Sequence, residues 1–118
     1  MLKTLRKGVF LLPEGSRKVL TDVGWEFTSG TFLSGTIVLA LMDSLGLSRD
    51  EEFLGIEIYR NESLQANVEK SDTGSVEFVY FQCDTSFLPQ LKATLLNVPN
   101  AEVFIPSELK QSKGAASQ

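Results

Sequence analysis

At 118 residues, with 42% apolar and 22% charged side chains and a net charge of −4, the chain has the make-up of one soluble domain with a sizeable hydrophobic core. Histidine is absent and cysteine occurs once, at Cys83; this excludes a Cys/His zinc site, a histidine general base and an internal disulfide, and suggests a reducing, cytoplasmic home. Lys and Arg are spread thinly apart from "KTLRK" near the start, which argues against a nucleic-acid partner, and the longest apolar run, 37–42, is far short of the ~18 residues that span a bilayer, which argues against membrane insertion.

The stretch "GVFLLPEGSRKVLTDVGWEF" reads as two strands joined at "PEGS", where Pro13 sets φ for a turn and Gly15 is free to take a positive φ. In the second arm Val19, Thr21, Val23, Trp25 and Phe27 share one face at period two, and Lys18, Asp22 and Glu26 point the other way. Trp25 and Phe27 are expected to pack in the core.

"SGTFLSGT", 29–36, has the glycine spacing of a phosphate-binding loop between a strand-like and a helix-like stretch. Thr36 stands where the lysine belongs, and Phe32 and Leu33 seek burial, so nucleotide binding is not expected. Thr28 or Ser29 instead caps a helix over 30–45, closed by Gly46. Its apolar residues Phe32, Leu33, Ile37, Val38, Leu39, Ala40, Leu41, Met42 and Leu45 wrap most of the circumference, and its only charge is Asp43. A helix on one sheet needs an apolar face of only about 100°, so this one is expected to be covered on two sides, by the rest of the fold or by another subunit. Ser34, Gly35 and Ala40 are small enough to let a second backbone approach.

"RDEEF", 49–53, reads as a solvated loop beside the helix end. A three-stranded meander follows, with turns at "RNES" and "SDTG". Leu54, Ile56 and Ile58 alternate with Gly55, Glu57 and Tyr59, and Leu64, Ala66 and Val68 alternate with Gln65, Asn67 and Glu69, which gives each strand one polar face. Val76–Cys83 is apolar on both faces and is expected at the centre of the sheet with a layer on each side. Cys83 reads there as a small buried hydrophobe. Tyr59 either joins an interface or packs on Lys and Glu stems, and Glu57, Glu69 and Glu77 are carboxylates whose burial would perturb them. A second helix starts near Ser86, capped by Asp84 or Ser86, with Pro89 in its first turn and Phe87, Leu88, Leu91 and Leu95 as its buried stripe. "VPN" ends it, "AEVFIP" is a further short strand, and the domain spans 1–106 with 107–118 as a disordered polar tail.

The order of hairpin, long apolar helix, meander and helix resembles the roadblock (dynein light-chain) family. The residues that carry the resemblance are "VFLLPEGSRKVLT", "SGTFLSGTIVLALMDSLGL" and "FLGIEIYRNESLQANVEKSDTGSVEFVYFQCDTSFLPQL", covering roughly 8–97. It implies an α+β, roadblock/profilin-like fold: a single antiparallel sheet of about five strands, the central helix on one face and the C-terminal helix on the other. It also implies a scaffold or regulatory subunit, for instance for a small GTPase, that pairs its central helix with that of a second subunit and has no catalytic residues of its own; separately, no cofactor or metal is expected. Only "MLKTLRK" precedes the first strand, where the family has a helix, and "AEVFIP" is an addition.

The leading expectation is therefore a noncatalytic interaction module that pairs with itself or a related subunit through the helix at 30–45. Its interface would comprise Phe32, Leu33, Ser34, Gly35, Val38, Leu41, Met42, Leu45 and Tyr59. The alternative is a ferredoxin-like βαββαβ domain that binds a small ligand or performs carboxylate chemistry. It would be formed by 19–27, the central helix, 54–60, 75–83, the second helix and "AEVFIP", with 102–105 paired within the sheet.

Overall fold

The computed structural model describes residues 7–106; the expected tail at 107–118 lies outside them. Its elements are β1 (Lys7–Pro13), β2 (Arg17–Thr21), β3 (Gly24–Thr28), α1 (Gly35–Ser44), β4 (Ser48–Phe53), β5 (Ile56–Arg60), β6 (Leu64–Lys70), β7 (Val76–Cys83), α2 (Leu88–Leu95) and β8 (Ala101–Phe104). The fold is α+β: six strands form one antiparallel sheet in the order β4-β5-β6-β7-β1-β8, and β2 and β3 form a separate ribbon.

The meander of β5, β6 and β7 follows the expected turns, and β7 is interior to the sheet between β6 and β1. β1 is also apolar on both faces and pairs with β7 on one side and β8 on the other, so no edge is left for β2. "PEGS" is therefore a corner and not a hairpin turn. Ser16 N–H donates to Glu102 Oε2 at 2.9 Å and to Pro13 O at 3.2 Å, and the same carboxylate holds Lys18 Nζ at 3.2 Å, fastening the departing chain to β8.

The single arm expected over 19–27 is two strands with a turn at Asp22 and Val23, where Thr21 Oγ1 donates to Gly24 O at 2.8 Å. This turn resets the alternation. Lys18 pairs with Phe27 and Leu20 with Trp25, so these four share a face, while Val19 pairs with Glu26 on the other and Val23 is 89% exposed at the tip. Trp25 and Phe27 still pack as expected, with ring centroids 4.9 Å from Phe104 and 4.8 Å from Phe10. They lay the ribbon on the sheet face opposite the helices.

α1 is shorter than the 30–45 expected. Its cap is Ser34, whose Oγ accepts from Ile37 N–H at 3.3 Å, because the residues before it are tied elsewhere: Leu33 N–H donates to Val76 O at 2.9 Å. Gly46, at φ +73°, closes the helix as expected, beside a Leu47 N–H bond to Met42 O of 2.9 Å. α2 carries Pro89 in its first turn and buries Leu91 and Leu95, after a 3-10 turn at Thr85–Phe87.

Val38, Leu41 and Met42 of α1 and Leu91 and Leu95 of α2 belong to one core with Val9, Leu11, Val68, Val79 and Phe81. Both helices thus lie on one sheet face, not one on each as expected. A six-stranded sheet is wide enough for two short helices side by side, and the ribbon takes the opposite face. "AEVFIP" pairs within the sheet as the ferredoxin-like alternative required, but 19–27 stands outside that sheet, so the element assignment of that alternative fails. The "RDEEF" stretch is part of edge strand β4 and not a loop; its charges suit an unpaired edge, with Arg60 holding Asp50 at 3.0 Å and Glu51 at 3.1 Å.

Candidate functional site

Strand β5, "IEIYR", alternates two kinds of side chain, and its inward set is the reverse of that expected from polarity. Tyr59 lies opposite Ala66 and Glu57 opposite Val68, and these β6 residues face the helices. Glu57 and Tyr59 are accordingly 8% and 7% exposed, while Ile56 and Ile58 sit half-buried on the second face. Burying a carboxylate is tolerable only with partners, and three are supplied. Lys70 Nζ donates to Glu57 Oε2 at 2.8 Å, Arg49 Nη1 to the same oxygen at 3.3 Å, and Tyr59 OH to Oε1 at 3.1 Å. Arg49 Nη1 also lies 3.6 Å from Glu52 Oε1, a more exposed pair.

Two irregularities of the sheet assemble this group. A register shift between Arg49 and Glu51 puts Arg49 opposite Tyr59, on the helix side. Another, between Glu69 and Lys70, puts Val76 rather than Glu77 opposite Lys70, which keeps a second carboxylate out of the cluster. Burial by itself would raise the Glu57 pKa, but the hydrogen bonds from Lys70 and Tyr59 and the charges of Lys70 and Arg49 together hold it below the ordinary carboxylate value. Tyr59 is shifted upward, first by burial and then by its bond to the Glu57 carboxylate. At neutral pH the carboxylate is ionised and the phenol protonated, an arrangement that orients and binds.

The cluster forms one wall of a cavity of about 420 Å³ between the first turn of α1 and the sheet. Gly35, Val38 and Leu39 form the helix side, Val68, Val76 and Gly74 the floor, and Arg49 and Lys70 the charged rim. On the other sheet face, Glu69 is shifted upward by burial and by the nearby Glu77 charge. Among the described residues no group of three or more His, Cys, Asp or Glu is placed to hold a metal ion, and no helix is long and apolar enough to cross a membrane.

Of the interface residues expected from sequence, Leu33, Val38, Leu41, Met42 and Tyr59 are buried within the chain's own fold, Leu45 is half-buried, and Ser34 and Gly35 are exposed. Phe32 is 54% exposed and lines a smaller cleft, of about 150 Å³, with Val98 and Pro99. Gly35, Val38 and Tyr59 come together around the larger cavity. Sequence reasoning singled out Glu57 but missed Arg49 and Lys70. A signal for Lys70 existed, since it continues the inward alternation of Leu64, Ala66 and Val68. Cys83 is fully buried in β7. In comparisons with protein-family models, with curated proteins and with solved structures, the chain matches none.

Proposed function

We propose that this chain is a noncatalytic protein-interaction module that associates with a second copy or a related subunit through the open half of its sheet. One observation carries the reading. The β2–β3 ribbon packs over the Phe10, Phe78 and Phe104 region of the second face, whereas over β4 and β5 that face presents Phe53, 64% exposed, opposite Ile56, with Ile58 two residues on. Antiparallel sheets that face water on one side normally place polar residues there, as β6 does with Gln65, Asn67 and Glu69, and the three apolar groups Phe53, Ile56 and Ile58 set among them mark a small surface for another molecule to cover.

This surface is preferred to the helix at 30–45 because Val38, Leu41 and Met42 of that helix are covered by the chain's own sheet, although Phe32 and Leu39 stay exposed. The roadblock resemblance points to the same kind of role, a dimerising scaffold or regulatory subunit. The order of central helix, meander and final helix supports that kinship, and two helices on one face depart from it. A reducing, cytoplasmic setting suits the single buried thiol. The test is molar mass by light scattering over a dilution series, with Ile58→Lys as the disrupting variant. Lysine at that position lies opposite Glu51, and circular dichroism of the variant checks that the fold is kept. Loss of dimer in the variant supports the reading, and a wild-type monomer at every concentration contradicts it.

A second reading, a small-ligand-binding domain, is favoured by the cavity beside α1 and its charged rim.

A further inference from the structure

Resting on the ligand-binding reading, we infer that the cavity beside α1 accepts a small organic anion, a carboxylate carried on an apolar body, with Arg49 and Lys70 as its recognition pair. The lining contributes two cations and one carboxylate, and a further carboxylate, Glu52, lies outside the cavity 3.6 Å from Arg49 Nη1, in a more exposed pair. Glu57 occupies one N–H of the Lys70 ammonium and one of the Arg49 guanidinium. Those groups carry three and five donors; among the described residues the Lys70 ammonium makes no other hydrogen bond, and Arg49 has only the looser 3.6 Å pair with Glu52 besides. The remaining donors suit a second acceptor that brings negative charge.

Glu57 has a different part. Its two oxygens are taken by Lys70, Arg49 and Tyr59, so it offers little to a ligand and instead holds both cations at the rim. Such fixed cations engage an anion without first losing side-chain freedom. The rest of the lining is apolar or glycine: Val38, Leu39, Val68 and Val76 surround space for a short hydrocarbon chain, and Gly35 and Gly74 narrow nothing. At about 420 Å³ the cavity is within the range of small-molecule sites. A cationic ligand would meet Arg49 and Lys70 first, and a neutral one would leave their donors to water.

The probe is hexanoate, set against hexanol and hexylammonium at equal ionic strength and pH 7, followed by amide chemical shifts of the full chain. Hexanoate is expected to shift Gly35, Val68 and Gly74 saturably and to bind most tightly of the three. In Arg49→Gln, a change at a half-exposed edge position, its Kd is expected to rise at least about tenfold while that of hexanol stays the same. Hexanol or hexylammonium binding as tightly as hexanoate, or a hexanoate Kd unmoved in Arg49→Gln, overturns the anion inference and leaves the ligand-binding reading standing. Absence of saturable shifts with all three probes overturns both.

Discussion

Glu57 is a buried carboxylate whose cost of burial is offset by three donors, and removing a donor is not equivalent at each position. Lys70 makes the shorter contact, 2.8 Å, and is more enclosed than Arg49, whose pair is 3.3 Å and half in solvent. Truncating Lys70 therefore leaves more uncompensated charge. Lys70→Met is expected to lower stability by about 1–3 kcal/mol and Arg49→Gln by less than about 1 kcal/mol, as urea unfolding at pH 7 would show. The carboxylates also act oppositely on the pH dependence. Because the Glu57 pKa is depressed in the fold, its contribution is present above the ordinary carboxylate range and is lost as pH falls through its folded pKa. Glu69 is raised, so the unfolded chain loses that proton first and stability declines as pH climbs from the ordinary value to the folded one. Glu69→Gln is expected to stabilise at pH 7, by less than about 1 kcal/mol given its partial exposure, and to make no difference near pH 3. Equal unfolding midpoints for the variant and wild type at both pH values would refute that sign.

At the scale of elements, the β4–β5 hairpin turns through Leu54 and Gly55, both at positive φ, +51° and +83°. Glycine adopts this backbone freely, whereas leucine does so at a cost, and Leu54 is 84% exposed, so nothing within the chain compensates it. Leu54→Asn, giving the Asn-Gly pair that such turns favour, is expected to raise the thermal midpoint, corresponding to about 0.5–1 kcal/mol; no rise would mean that the turn is relaxed as it stands. The elements that sequence disclosed are the apolar or alternating runs bounded by turn residues, β1, β5, β6, β7 and β8, and the helical stripe of α2. It concealed β4 and the break between β2 and β3. β4 is an edge strand written almost entirely in charge, which hides its period, and the β2–β3 turn falls at Asp22 and Val23, so the apolar alternation runs straight through it. The inward turn of Glu57 and Tyr59 was hidden for another reason. Polarity alone assigns Ile56 and Ile58 to the core, and only the cross-strand register with Ala66 and Val68 shows otherwise. The helix at 30–45 was legible as an element but not in its start, which is set by the distant Leu33–Val76 bridge.

For the whole molecule, the apolar girth of the α1 region has two explanations, a partner or the chain's own layers, and the fold covers one side of it, leaving Phe32 and Leu39 more than half exposed. The core holds Leu33, Val38, Leu41 and Met42, while the sheet half beneath β4 and β5 keeps its apolar groups half-covered. Association is thus expected to depend on Phe53 and Ile58 and to be separable from folding. Val38, 2% exposed, gives the opposite case: Val38→Glu is expected to unfold the chain, not merely to dissociate it. The most direct measurement is molar mass by light scattering from micromolar concentration downward, made on wild type and Ile58→Lys with circular dichroism recorded for both. The account predicts a wild-type dimer and a folded, monomeric variant; a wild-type monomer throughout, or a variant that stays dimeric, would contradict it.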